Sequence, residues 1–133
     1  MTLARAVSGA IRGVGVWAIV FGFVIVLGGQ ERMGSPAFAV IRGVAEMARQ
    51  DPAHLWGITL AVAGLLVIMP RTELAGLFLV TTWCLLFGIG AAAAAIADPV
   101  ASVTGPVIYG YVALMISGLI AVRRADLAPR VRR

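Results

Sequence analysis

The side chains of this chain that could do chemistry are few: one histidine, one cysteine and six acids. Paired carboxylates, a Ser/His/Asp triad or a cluster of metal ligands would each need residues that the sequence lacks or scatters. His54 lies beside Trp56, as is typical of a polar group at a membrane interface, and one histidine cannot form a site alone. We therefore expect a protein that is not an enzyme, with no catalytic residue, no cofactor and no metal.

Small residues form the other recurring pattern. Glycines and alanines repeat at intervals of three and four, which places them on one helix face and lets two backbones approach closely. The candidate helix-packing residues are Gly57, Ala61, Gly64, Gly88 and Ala92, with Gly9 and Gly13 as a further pair. Two interpretations stay open: these faces pack the helices of one chain, which is the simpler case, or they join several copies.

The composition indicates a membrane protein. Hydrophobic residues make up 61% of the 133 residues and charged residues 13%, whereas soluble domains have about 45–50% apolar and roughly 25% charged residues. The excess apolar surface must face lipid. All eleven basic residues are arginine, and the chain has no lysine or asparagine, which points to a GC-rich genome. Cys84 has no second cysteine to pair with and is expected to be a small packing residue.

Four uncharged stretches predict the elements that carry these residues. A bilayer core of about 30 Å needs ~20 helical residues. The predicted transmembrane helices cover about residues 12–29, 52–69, 73–97 and 100–122. The turns at Pro70 to Glu73 and at Asp98-Pro99 are short. The predicted fold is therefore one all-α domain over residues 1–133, an antiparallel bundle of four transmembrane helices.

The first hydrophobic run follows Arg5 and Arg12 and could instead be a secretory signal. The residues after it, Gly28 to Arg32, lack a small-x-small cleavage pattern, and its removal would leave an odd number of spans. We predict that it is retained as the first helix.

The first outer loop is predicted to contain an amphipathic helix over about residues 36–50, with Ser35 as its N-cap and Pro36 in its first position. Its apolar stripe consists of Phe38, Ile41, Val44, Ala45 and Ala48. This stripe suits a helix lying in the outer interface, or equally a helix that caps the mouth of the bundle.

Aromatic residues near helix ends are ordinary interfacial anchors, and Trp56 fits that role. Trp83 and Tyr109 lie deeper, so their N–H and O–H groups need partners. Candidate partners on neighbouring helices are Thr81, Thr82, Ser102, Thr104 and Ser117.

The C-terminal tail, residues 123–133, is basic, interrupted by Pro129 and too short to fold. We expect it to lie on the anionic inner leaflet, where each arginine contributes on the order of 1 kcal/mol of attraction. The predicted lipid-surface residues are Arg123, Arg124, Arg130, Arg132 and Arg133. Nucleic acid is not an expected partner because no aromatic residues alternate with these arginines.

Two segments carry a resemblance to a known group of proteins. Ser35-Pro36-Ala37-Phe38 in the outer loop and Pro52-Ala53-His54-Leu55-Trp56-Gly57 at the start of the second helix, within a layout of four short spans, resemble small membrane proteins of bacteriophages that infect GC-rich actinobacteria. Some of that group are holin-like. The resemblance implies accumulation in the inner membrane followed by lesion formation.

Three functions are compatible with these features. The first is a holin-like protein that self-associates through glycine and alanine faces, and the second is an accessory subunit packed against a larger membrane complex. A small dimeric exporter is disfavoured because no ionisable group lies at membrane depth. If assembly is the function, leucine at Gly64 or Gly88 should disturb it more than alanine at His54 or Asp98.

The arginine distribution predicts the topology. Under the four-helix assignment, eight of the eleven arginines fall on the side of the two termini and three on the other side. The positive-inside rule then places both termini in the cytoplasm. Cysteines introduced between Arg130 and Arg133 should be protected from a membrane-impermeant thiol reagent in intact cells, and labelling there would contradict this orientation.

Overall fold

The computed structural model describes residues 3–35, 38–97 and 104–131, which form helices and short turns and no strand. The helices are α1 (Leu3–Met33), α2 (Ala39–Met47), α3 (Pro52–Ile68), α4 (Glu73–Ala97) and α5 (Thr104–Val131). The prediction of an all-helical chain is confirmed for these residues. Segments of α1, α4 and α5 are long and apolar enough to cross a membrane, and α2 with α3 makes a fourth candidate span if this bent pair is counted as one.

The four long helices pack side by side in a row, in the order α1, α3, α4, α5, and do not close into a ring. α1 has its main contact with α3, α3 also packs against α4, and α4 packs against α5, whereas α1 touches α4 and α5 only slightly. The buried residues along this row are small or apolar. They include Ala18 and Ile25 of α1, Leu60 and Val67 of α3, Leu77, Val80 and Phe87 of α4, and Ala113 and Ile116 of α5.

The first helix is longer than predicted. α1 begins at Leu3 instead of near residue 12, and Arg5 and Arg12 lie exposed on its surface. Near its other end Gly29 has φ 58° and ψ −158°, which breaks the helix. A glycine permits this left-handed φ without a steric penalty, so the regular span ends where Gly28 and Gly29 follow each other.

Residues 123–131 of the basic tail are helical, which corrects the prediction that this segment is too short to fold. α5 continues to Val131 instead of ending near residue 122. Arginine, alanine and leucine all favour helix, and the ion pair of Arg123 described below holds the start of this extension against α4. The predicted turn at Asp98-Pro99 and the predicted helix start at residue 100 lie outside the described residues.

The outer-loop helix is shorter than predicted. α2 begins at Ala39, with Phe38 at its N-cap position and no side-chain hydrogen bond there, so Ser35 does not cap it; Pro36 lies outside the described residues. The helix ends at Met47 because Arg49 has a positive φ of 54°. The amides of Arg49 and Gln50 donate to the carbonyl oxygens of Glu46 and Ala45, which is the Schellman pattern with arginine in the position that glycine usually takes.

The predicted apolar stripe of α2 is divided between two environments. Ile41 and Ala45 are buried against α4 and α3, and Phe38 is half-buried, whereas Val44 and Ala48 are exposed. α2 is bent by 92° from α3. It therefore lies across the bundle and packs against its side through part of the stripe.

A hydrogen-bonded cap starts α3. The Asp51 side chain accepts a hydrogen bond from the His54 amide at 3.0 Å, and Pro52 follows in the first helical position. At the other end, the Thr72 hydroxyl donates to the Leu66 carbonyl oxygen at 2.9 Å, which ties the turn before α4 to the last residues of α3.

An aromatic cluster joins all five helices. Its centre is the stacked pair Trp83 and Phe87 of α4, with ring centroids 3.7 Å apart. Edge-on or tilted rings surround this pair. They are Phe21 of α1, Phe38 before α2, Trp56 of α3 and Tyr109 of α5, and Trp17 stacks on Phe21.

Backbone carbonyls satisfy the indoles of this cluster. The Trp83 indole N–H donates to the Trp56 carbonyl oxygen at 3.1 Å, and the Trp56 indole N–H donates to the Ile41 carbonyl oxygen at 3.1 Å. Trp56 thus joins α3 to α2, and its place at the lipid headgroups stays a prediction.

The hydroxyl partners proposed for Trp83 were wrong. Thr81, Thr82 and Ser117 each donate to the carbonyl oxygen four residues earlier in their own helix. Such local bonds satisfy a hydroxyl within an apolar helix without a neighbour. Ser102 lies outside the described residues.

The position of Phe87 predicts a large effect of its removal. Phe87→Ala should lower the free energy of unfolding in detergent by about 2–4 kcal/mol, somewhat less than in a soluble core because lipid-like surroundings weaken the hydrophobic contribution. Thermal unfolding followed by circular dichroism measures this. The control is Phe23→Ala on the outer side of α1, where 57% of the residue is exposed; equal effects of the two variants would contradict the assignment of Phe87 to the core.

Candidate helix-packing site

Glycines bring the backbones of α1 and α3 into contact at two levels. A Cβ atom added at Gly22 would lie 2.5 Å from the Gly57 carbonyl oxygen, and one added at Gly57 would lie 2.7 Å from the Gly22 carbonyl oxygen. Two helical turns away, a Cβ atom at Gly64 would lie 2.6 Å from the Gly15 carbonyl oxygen. Carbon atoms do not approach oxygen this closely, so only glycine permits this separation of the two helices.

Ala61 and Ala18 continue this contact between the glycine pairs. The Ala61 amide nitrogen would lie 2.8 Å from a Cβ atom at Gly22, and Ala18 of α1 is fully buried. The structure thus brings three of the candidate residues, Gly57, Ala61 and Gly64, together on one face that α1 occupies.

The α1 side of this contact was not among the candidate residues. Gly15 and Gly22 are seven residues apart, two turns of helix, and therefore share a face. The sequence signal for this face is the spacing of glycine and alanine at residues 15, 18 and 22, which is hard to distinguish because it lies inside an apolar run.

The second candidate face is less closely packed. A Cβ atom at Gly88 would lie 3.4 Å from the Tyr109 Cβ atom and 3.8 Å from the Gly110 backbone nitrogen, both ordinary van der Waals distances, so Gly88 faces α5 with room for a methyl group. Ala92, one turn later, is half-buried. Gly76 is a further glycine that the sequence analysis missed: it packs directly against the backbone of Leu66 and Val67 at the end of α3.

Charged groups join α4 and α5 at the end of the bundle where α4 begins. Arg123 Nε donates to Glu73 Oε1 at 2.7 Å, with 26% and 15% of the two side chains exposed. The Arg124 guanidinium lies 5.0 Å from the centre of the Phe78 ring, within cation–π distance. Arg123 is therefore paired with Glu73 within the protein, and its contact with lipid stays a prediction. The side chains of Arg130, Arg132 and Arg133 lie outside the described part of the chain.

Two polar side chains form a pair at the start of α3. The His54 Nδ1 and Asp51 Oδ1 atoms lie 2.9 Å apart, and 61% and 30% of the two side chains are exposed. Among residues 3–35, 38–97 and 104–131, no three His, Cys, Asp or Glu side chains lie close enough to hold a metal ion. Cys84 is fully buried, within the core around Trp83 and Phe87.

One face of α1 is left open. A Cβ atom at Gly9 or Gly13 would have no neighbour within 4 Å. Gly13 borders a groove of about 340 Å³ between α1 and α5, whose other lining residues include Trp17, Tyr111 and Met115. The groove is apolar and exists because α1 and α5 barely touch.

Comparisons of this chain with protein-family models, with curated proteins and with solved structures find no match.

The two kinds of glycine predict opposite responses to a larger side chain. Gly64→Leu should destabilise the fold by about 3 kcal/mol or more, since overpacking at a backbone contact forces the helices apart. Gly13→Leu, in open space, should leave stability unchanged or raise it by up to about 0.8 kcal/mol through helix propensity. Thermal unfolding in detergent distinguishes the two variants, and equal tolerance of both would contradict the close α1–α3 contact.

Proposed function

We propose that this chain is a small, non-catalytic protein of the bacterial inner membrane that works by lateral association with other membrane helices. Four spans in antiparallel order are part of the proposal. The reciprocal pairing of Gly15 with Gly64 and of Gly22 with Gly57 supports opposite directions for α1 and α3. The contact of Arg123, in the C-terminal half of α5, with Glu73 at the start of α4 supports the same relation for that pair.

α3 is shorter than a typical membrane-spanning helix, and the bilayer can accommodate this length. Its 17 residues correspond to about 25 Å, whereas a bilayer core is about 30 Å thick. A mismatch of this size costs fractions of a kcal/mol per Å and is accommodated by local thinning or by flanking groups. The orientation with both termini in the cytoplasm is retained from the arginine distribution.

The open face at Gly9 and Gly13 carries the proposal of association. The small-residue faces of α3 and α4 are already occupied by α1 and α5, so a neighbouring molecule needs a different surface. Gly9 and Gly13 are four residues apart on one face, and a Cβ atom added at either would have no neighbour within 4 Å. Because apolar burial gives no net gain in lipid, a second helix would associate here through close van der Waals contact.

Two functions use this surface. In the holin-like function, copies of the chain accumulate, meet through this face of α1 and open a lesion in the inner membrane. In the alternative function, the chain is an accessory subunit of a larger complex. A helix of that complex then occupies the groove between α1 and α5, and the lateral opening of the groove favours this binding. Neither function needs a catalytic residue.

The experiment is expression of wild type and of Gly13→Leu in a bacterial host, followed by chemical cross-linking and by measurement of membrane permeability. Wild type should form cross-linked oligomers and permeabilise the membrane, and Gly13→Leu should lose most of both while remaining folded. Gly43→Leu is the matched control because a Cβ atom at Gly43 would likewise have no neighbour within 4 Å, but Gly43 lies on α2.

Two results would change the conclusion. Oligomers and lesions that persist in Gly13→Leu would show that this face is not the contact. A wild-type chain that stays monomeric, leaves the membrane intact and co-purifies with a larger complex would replace the holin-like function by the accessory-subunit function.

A further inference from the structure

We propose that α2 is embedded in the lipid leaflet on its side of the membrane, with a second apolar face in contact with acyl chains. This inference rests on the proposed membrane-spanning arrangement and adds a specific lipid-contacting surface to it. The surface consists of Val40, Val44 and Met47, which are 53%, 49% and 87% exposed. Their spacing of four and three residues places them on one side of α2.

Three faces of α2 meet three different environments. Ile41 and Ala45 are buried against the bundle. Arg42 and Glu46, four residues apart, form a charged face. At 100° per residue, this charged face and the apolar face of Val40, Val44 and Met47 point in directions roughly 150° apart. A helix that lies in water needs no such segregation, whereas a helix in a membrane interface needs charge on one side and apolar side chains on the opposite side.

The direction of α2 supports the same location. α2 is bent by 92° from α3, so if α3 runs along the membrane normal, α2 runs in the membrane plane. The Schellman turn at Arg49 and the cap at Asp51 hold this angle through backbone hydrogen bonds. The Trp56 indole N–H, bonded to the Ile41 carbonyl oxygen, fixes it from the side.

The depth of α2 agrees with an embedded helix. Ile41 packs against Gly90, which lies seven residues before the end of α4 at Ala97, or about 10 Å along the helix. α2 is therefore beside α4 and below its end. The length of α3, about 5 Å less than a bilayer core, places α2 just inside the hydrocarbon boundary, and amphipathic interfacial helices bury their apolar faces about 5–10 Å deep.

A spin-label experiment in vesicles of phosphatidylcholine and phosphatidylglycerol tests this. Val44→Cys, Met47→Cys and Glu46→Cys are each made in a Cys84→Ala background and labelled with a nitroxide. Molecular oxygen concentrates in the acyl region, and a water-soluble nickel complex stays outside. Labels at Val44 and Met47 should relax faster with oxygen than with nickel, and the label at Glu46 should show the reverse order.

Each other result overturns the inference. Nickel access at Val44 and Met47 equal to that at Glu46 would place the apolar face in water. Protection of both sites from both reagents would mean that protein covers the face. A label at Leu114, which is exposed on α5, reports separately on the membrane-spanning helices. If oxygen reaches Leu114 but the labels on α2 give either contradicting result, only the inference about α2 is rejected. If nickel reaches Leu114, the spanning arrangement and the inference are both contradicted.

Discussion

The absence of a hydrophobic driving force between helices in lipid is the constraint on which this structure depends. Lipid tails are as apolar as leucine, so burying a leucine between two helices gains little, and association relies on how closely atoms can approach. α1 and α3 meet this constraint with glycine opposite glycine at two levels, where each carbonyl occupies the space of a missing side chain. α4 packs against the α3 side of this pair, and α5 packs against α4.

Large side chains fill the space between α4 and the helices around it. The stacked rings of Trp83 and Phe87 fill the space between α4 and its neighbours, and α1, α3, α5 and the residue before α2 each contribute at least one ring to the same cluster. Both indoles that point between helices donate to backbone carbonyls. The packing therefore combines a backbone contact between glycines with a cluster of large aromatic side chains. The Glu73–Arg123 ion pair joins α4 and α5 at the end where α4 begins.

The same division explains the open surface of the molecule. α1 is held by α3 and α5 by α4, and little connects α1 to α5. The groove between α1 and α5 therefore results from joining the α1–α3 pair to the α4–α5 pair through the contact of α3 with α4. A lateral partner at Gly13 would add a contact of the same kind as the one inside the chain, which is why self-association and binding to another membrane protein use the same physical principle.

Much of the fold could be predicted from the sequence, because uncharged runs and helix breakers are local signals. The helical character, the cap at Asp51 and the small-residue face of Gly57, Ala61 and Gly64 belong to this group. The partner of that face could not be identified: spacing shows that Gly15 and Gly22 share a side of α1, but not which helix they meet.

Other features depended on contacts that no local pattern reveals. Arg123 was expected on lipid because it begins a basic tail, and only the approach of α4 to α5 shows that Glu73 pairs with it. The end of α2 at Arg49 was missed because arginine rarely takes the left-handed conformation that glycine takes there. The open groove is likewise a property of packing order and not of any one segment.

The most direct measurement of the central claim is solid-state NMR of the chain in phospholipid bilayers with ¹³C-labelled glycine. The account predicts through-space cross-peaks between Gly22 and Gly57 and between Gly15 and Gly64, which persist when labelled chains are diluted with unlabelled ones because the contacts lie within one chain. The absence of both cross-peaks, or their loss on dilution, would contradict the glycine contact between α1 and α3 as the basis of the fold.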